Sequence, residues 1–266
     1  MMCNAELKVM ESYQSLKLPK MCFHKLDSAD ALIPIDLYNF ILNKIGLLII
    51  DVGFDNKNTS ILEKIVSTLG RAHTHSSDED AIWHIKQGGI NGNEVLARSH
   101  KLDEFVLHTD CSYERHVPNF FALQCIRSDK LGGGKNLFVD ASTLIQHLSQ
   151  SSIKTLQTEA VEIKVPLEFK RDVETINAHI IDANLNVRYR KELIVESSLS
   201  ENLKIALDEF DQLCKSPFLN RWFELNDNQI LILDNRRYLH ARTKIIDKDR
   251  HLMRIRFFID RHYSMV

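Results

Sequence analysis

The pattern Leu107-His108-Thr109-Asp110 carries the plainest chemistry in this chain. On an extended segment, residues two apart project to the same face. His108 and Asp110 would then set an imidazole beside a carboxylate, and one metal ion could take both. A third ligand would complete a two-histidine, one-carboxylate facial set, which leaves octahedral positions open for substrate and oxygen. The pair alone also fits a strand end with a surface histidine and an aspartate in a turn. The candidate third ligand comes late. Gln229 to Leu233 reads as an apolar strand and Asp234-Asn235 as a turn. Then follows Arg236-Arg237-Tyr238-Leu239-His240-Ala241-Arg242-Thr243. His240 sits either just beyond a strand end or in a surface loop rich in arginine.

The last apolar run, Arg250 to Ile259, alternates. Met253, Ile255, Phe257 and Ile259 share one face, and Arg250, Leu252, Arg254, Arg256 and Phe258 share the other. A guanidinium on a partly buried strand needs an anion, because an unpaired buried charge is costly. A bidentate carboxylate is the natural match. That carboxylate belongs either to a ligand or to an Asp or Glu of the chain.

The elements that must position these residues can be read from periodicity. Helices are expected at about 36–44, 60–69 and 200–214, with Ser60 and Glu63 as a capping box, Gly70 as a stop and Ser200 as a cap. Strands are expected at 47–52, 105–108, 120–126, 137–139, 161–165, 229–233 and 252–260. Arg188 and Arg190 alternate in a further possible strand. Short strands with few helices, and no alternation of strand and helix, point to a β-sandwich or barrel with helical decoration. Gly132 to Gly134 reads as a turn, since no phosphate-loop lysine and serine follow.

The chain has 266 residues, a net charge of -2, 44% hydrophobic and 26% charged residues. These values exclude a disordered or fibrous chain. The charge argues against general nucleic-acid binding. No apolar run reaches the roughly 20 residues of a membrane span. The N-terminus shows no signal-peptide pattern. The 5 cysteines are odd in number and scattered, which reads as free thiols in a reducing, cytoplasmic setting.

Taken in order, HTD, GGGKN, DNRRYLHART and RHLMRIRF resemble the TauD/TfdA family of Fe(II)- and 2-oxoglutarate-dependent dioxygenases. The resemblance is greatest to the branch of clavaminate synthase-like and amino-acid oxygenases. It runs from about Gly46 to the C-terminus, and His240 lies 130 positions after Asp110. It implies a double-stranded β-helix (jelly-roll) core in a single domain, residues 1–266, with N-terminal helices within about 1–70 and a helical insert at about 198–216. It places His108, Asp110 and His240 on the iron ligands. The arginine for the far carboxylate of 2-oxoglutarate falls on Arg254, 14 residues after His240. Arg250 is the second choice, or a substrate contact. Asn136 stands where the family carries Thr or Ser after Gly-Gly, a departure, although an amide can still donate to a carboxylate.

The implied reaction uses Fe(II), 2-oxoglutarate and O2, releases succinate and CO2, and hydroxylates a C–H. Related halogenases replace the ligand carboxylate by Gly or Ala, so Asp110 implies hydroxylation or a related desaturation. The resemblance also marks His73, His75 and Trp83 as candidates for substrate loops, and leaves Cys111 to packing. Surplus arginines, Arg188 included, point to a small anionic or zwitterionic substrate such as a free amino acid. A sulfonate, an amine, a protein or nucleic-acid side group, or a non-catalytic binding module are the alternatives. Oligomeric state is left open.

Overall fold

Runs of apolar residues between turn residues become the strands of two facing sheets. The structure is a computed structural model that describes residues 13–56, 58–74, 81–88, 97–169 and 173–260. Its strands are β1 (Gln14–Ser15), β2 (Phe23–Leu26), β3 (Leu47–Val52), β4 (Arg71–His73), β5 (Ile82–Ile85), β6 (Phe105–His108) and β7 (Phe120–Arg127). They continue with β8 (Asn136–Asp140), β9 (Val161–Lys164), β10 (Thr175–Ala178), β11 (Arg221–Phe223), β12 (Gln229–Asp234), β13 (Tyr238–Arg242) and β14 (His251–Phe258). The helices are α1 (Ile35–Lys44), α2 (Ser60–Leu69), α3 (Ala141–Gln146), α4 (Gln150–Thr158) and α5 (Glu201–Cys214).

The larger sheet has the order β2-β3-β12-β7-β14-β4, with β5 also paired to β14. The smaller sheet has the order β1-β11-β8-β13-β6, and β9 pairs β10. Side chains of both sheets meet between them: Ile49, Phe121 and Leu231 from the larger, Phe138 and Tyr238 from the smaller. Helices cover the outer faces. α1 and α2 lie on the larger sheet through Tyr38, Ile41, Leu62 and Ile65. α3, α4 and α5 cover the smaller one through Leu144, Leu156 and Phe210. The result is mainly β with helical decoration, the double-stranded β-helix architecture expected from the sequence.

Local signals place several elements where they were read. Ser200 caps α5, its hydroxyl accepting from the Leu203 N–H at 3.1 Å. α2 starts at Ser60 as expected, but the capping pair differs. Thr59 is the cap, and its hydroxyl donates to Glu63 at 2.7 Å. Two readings need correction. Residues 238–242 form a strand, not a loop, because β8 and β6 supply hydrogen-bonding partners on both sides. β14 has no solvent face: its central arginines, Arg254 and Arg256, are 7% and 8% exposed. Strand pairing to β7 on one side and to β4 and β5 on the other makes it a central strand.

Gly70 ends α2 with extended backbone, so its role is space and not conformation. A Cβ there would lie 2.0 Å from the Phe258 carbonyl oxygen. Gly70→Ala is therefore expected to cost about 1–3 kcal/mol of stability, since α2 and β14 must separate. Urea denaturation measures this, and an unchanged midpoint would contradict the close approach.

Candidate functional site

β6 and β13 are antiparallel neighbours, and His108 and His240 are direct partners in their register. A β-bulge follows between His240 and Arg242. The two rings stand 4.3 Å apart between centroids. Asp110 reaches them from a turn. β6 ends at His108, so the same-face argument for His108 and Asp110 does not apply. The turn brings the carboxylate round instead. Asp110 Oδ1 lies 3.6 Å from His108 Nε2 and 3.7 Å from His240 Nε2. The three donor atoms all fall within 4.8 Å of one another.

Neighbours fix each donor. His108 Nδ1 lies 2.8 Å from the Val106 carbonyl oxygen, so Nδ1 carries the proton and Nε2 presents its lone pair. Phe105 stacks on the His108 ring at 3.7 Å, and Phe121 packs on His240 at 4.7 Å. Burial, and then the neighbouring His240, push His108 down to about 3. A neutral imidazole is what a metal requires. The backbone of Asp110 is clamped by Asn235. Its N–H donates to Asn235 Oδ1 at 2.7 Å, and Asn235 Nδ2 donates to its carbonyl at 2.9 Å. Thr109 is held likewise: its N–H donates to Tyr189 O at 2.7 Å, and the Tyr189 N–H donates to its hydroxyl at 3.0 Å.

The Asp110 carboxylate divides its two oxygens. Oδ1 faces both imidazoles and also accepts from Arg254 Nη1 at 3.2 Å. Oδ2 takes Arg254 Nη1 at 2.9 Å and Arg256 Nε at 3.0 Å. Burial alone would raise this carboxyl, but Arg254 and Arg256 outweigh it and hold the group well below the usual carboxylate range. The donor set is thus two imidazole nitrogens, that of His108 held neutral, and one oxygen of an ionised carboxylate. Those residues would suit a divalent metal. Among the alternatives for the arginine-bearing strand, a carboxylate of the chain itself is the partner of Arg254 and Arg256.

A cavity lies beside the triad, between the sheets. His108, His240, Asn136, Arg250 and Arg254 all line it, so the six residues singled out for metal and cofactor are gathered at one place. Arg254, the first choice for the cofactor anchor, is engaged by Asp110. Arg250 is different. It is buried and is not engaged by Asp110, and its Nη1, like Arg254 Nε, has no hydrogen-bond partner among the described residues. Gly134 makes room for it, since a Cβ there would lie 2.7 Å from Arg250 Nε. Asn136 offers its amide to the same cavity, with only a long 3.4 Å contact to Phe223 O.

Other singled-out residues serve elsewhere. Arg188 donates to the carbonyls of Ser112 and Glu114 at 3.4 and 2.7 Å, which braces the turn after Asp110. Trp83 donates to Ser99 and stacks on His100 at 5.1 Å. His73 pairs with Glu114 at 2.8 Å. Cys111 stands near both, but burial pushes its thiol up, and the trio acts as a strut behind the turn. His75 lies outside the described residues. Sequence reasoning missed Asn235, read only as part of a turn, and missed Arg256 and Phe105 as neighbours of the ligands. It also missed the mouth of the site, where Arg98, Arg190, Glu168, Tyr113 and Phe169 surround the open side of His108 and Asp110.

The model of the Taurine catabolism dioxygenase TauD, TfdA family matches residues 39–256. A relative, Dioxygenase str8 of Strobilurus tenacellus, is 26% identical over 152 residues, covering 51% of this chain and 34% of its own length, about one third. Among solved structures, asparagine oxygenase in complex with Fe(II), 2S,3S-3-hydroxyasparagine and succinate has a TM-score of 0.69 at 18% identity, over 84% of this chain and 78% of that one. The non-heme iron oxygenase OrfP in complex with Fe and alpha-ketoglutaric acid has a TM-score of 0.68 at 15% identity, over 86% and 81%. At these identities the two structures show a shared fold.

Losing the Asn235 side chain would release the turn that carries Asp110. Asn235→Ala is expected to weaken binding of a divalent metal at the triad by about 10–100-fold, as loss of supporting hydrogen bonds does elsewhere. Titration with Co(II) measures this, and unchanged affinity would refute the clamp.

Proposed function

This chain belongs to the TauD/TfdA family of dioxygenases, and on that premise we propose that it is an Fe(II)- and 2-oxoglutarate-dependent oxygenase that hydroxylates a C–H of a small zwitterionic molecule. The observation that carries the reading is the joining of an open-faced His108, Asp110, His240 triad to a cavity holding a buried cation with an unpartnered nitrogen. When bound, iron and 2-oxoglutarate supply the oxidising chemistry, with O2 consumed and succinate and CO2 released. The chain supplies position and charge. His108 and His240 present their Nε2 atoms, and Asp110 presents Oδ1. Arg254 and Arg256 hold Oδ2, which keeps the carboxylate ionised and pointed. Arg250 takes the far carboxylate of 2-oxoglutarate, with Asn136 as a second donor, because Arg254 already gives its Nη1 to Asp110 and only its Nε is unpartnered. A guanidinium with a free edge is the better receptor for an incoming carboxylate.

The substrate meets the open side of the triad. There Glu168 is the carboxylate available for an ammonium group, and Arg98 and Arg190 are available for an anion. Arg190 also lies over the Phe105 ring at 5.1 Å, with its Nε 3.0 Å from Glu192. Opposite charges on two sides of one mouth suit an amino acid or a close derivative. Two of the similar solved structures hold hydroxylated amino acids, hydroxyasparagine and hydroxyarginine, which supports the same class.

Two measurements test this. Anaerobic addition of Fe(II) and 2-oxoglutarate should give a weak visible charge-transfer band, absent in Asp110→Ala. Arg250→Met should raise the Kd for 2-oxoglutarate by roughly 30-fold or more, the loss of a buried charge-assisted pair, and Arg254→Met by much less. The reverse ranking would return the anchor to Arg254. For the substrate, a screen of amino acids, sulfonates and small amines for succinate release with a mass gain of one oxygen should pick out amino acids. In Glu168→Gln the KM for that substrate should then rise about tenfold, with kcat little changed. An unmoved KM would remove Glu168 from recognition.

A further inference from the structure

Behind the strands that carry the histidines lies a second cavity, of about 490 Å³. Small-molecule sites span roughly 300–1,000 Å³. It runs across β6, the edge strand of the smaller sheet. Phe105, Val106 and Leu107 form its floor with Leu137 and Ala241. Val106 is 46% exposed there, a large apolar side chain left open to solvent.

The rim is charged and unbalanced. Lys191, Lys215, Lys244 and Arg242 stand against Glu104 and Asp211. Asp211 is shared by two ammonium groups, Lys191 at 2.7 Å and Lys215 at 2.6 Å. One carboxylate cannot neutralise both. Arg242 is buried, and its guanidinium donates to the main-chain carbonyls of Lys101, Asp103 and Thr243, not to a carboxylate. Asp103 acts on it, but so do the like charges of Arg250 and Arg98, and its hydrogen bonds go to main-chain dipoles. An apolar floor under an excess of cations is complementary to an anion with an apolar body.

We propose that this cavity binds a small amphiphilic anion, a carboxylate on an aliphatic body, and that its occupancy is felt at the metal triad through β6. The route is short. Phe105 lines this cavity and the one beside the triad, and it stacks on His108. Val106 gives its side chain to the floor and its carbonyl to His108 Nδ1. Ala241 and Arg242, next to His240, line both cavities as well. A ligand that presses on this strand acts on the groups that orient His108 and on the neighbours of His240. Coupling requires such a difference in contacts between the two states. Binding of the anion stands on the cavity alone, and only the coupling rests on the metal reading of the triad.

The test uses octanoate, with octanamide as its neutral counterpart, titrated into the full chain by calorimetry. One site is expected, with octanoate bound about tenfold more tightly than octanamide. Val106→Trp fills the floor and should abolish binding. Lys244→Glu lies on the exposed rim and should weaken it severalfold, and an unchanged circular dichroism spectrum would show that each variant folds. In the Co(II)-loaded protein, octanoate should shift the visible cobalt bands of the wild type and not of Val106→Trp. Equal affinity for octanoate and octanamide, indifference to both substitutions, or displacement of octanoate by 2-oxoglutarate would each overturn the site. So would a dimer in sedimentation that Val106→Trp abolishes, which would assign the cavity to a second copy of the chain. Octanoate binding without a cobalt shift would overturn the coupling and leave the site. Octanoate binding by a chain that takes up no cobalt would overturn the coupling together with the metal reading beneath it.

Discussion

Asp110 is 4% exposed, and its charge is matched by the guanidinium groups of Arg254 and Arg256. A carboxylate removed from water to this degree would take up a proton without such partners. The protonated acid would be a poor metal ligand. Two guanidinium groups keep the carboxylate ionised, with Oδ1 toward the imidazoles. The arrangement sets demands on the rest of the fold. β14 must run beside the turn after β6, with its arginine side turned inward, and it must be central in its sheet to shield the ion pairs. α2 packs behind it closely enough that Gly70 touches the Phe258 carbonyl. The packing on the back of β14 therefore serves the ion group on its front.

The imidazoles depend on a different constraint, strand register. His108 and His240 are opposite partners on β6 and β13, so a one-residue slip would turn one of them to the other side of the sheet. The bulge between His240 and Arg242 changes the pairing just past the ligand. The turn bearing Asp110 is then tied down by contacts distant in sequence, from Asn235, Tyr189 and Arg188. Each of these meets main-chain atoms. They fix the path of the chain, and the path places the carboxylate.

Arginine is used in three ways here. Arg254 and Arg256 neutralise a buried carboxylate. Arg188 and Arg242 brace main-chain carbonyls. Arg250 meets neither, and its Nη1, like Arg254 Nε, is a buried nitrogen with no hydrogen-bond partner among the described residues. A net charge of -2 hides this division, because the surface carboxylates offset cations that are not on the surface. β6 links the parts. Its residues orient one ligand, wall the inner cavity and floor the outer one.

Features set by neighbours within a few residues were legible in the sequence. Ser200 as the cap of α5, the strand at Leu47–Val52 and the apolar alternation of β14 depend on local hydrogen bonds and on period, and these are written in residue order. The triad was legible only in part. The HxD pattern marks two donors, and position after a strand offered His240 as a third, which resemblance then favoured over a surface loop, 130 residues from Asp110. Tertiary structure decided the rest. Residues 238–242 look like an arginine-rich loop until β6 and β8 flank them. Spacing favours Arg254 over Arg250 as the anchor of 2-oxoglutarate, but it cannot show that Arg254 meets Asp110, a contact across 144 residues. Periodicity tells which side of a strand a charge is on. Only packing tells whether that charge is already answered.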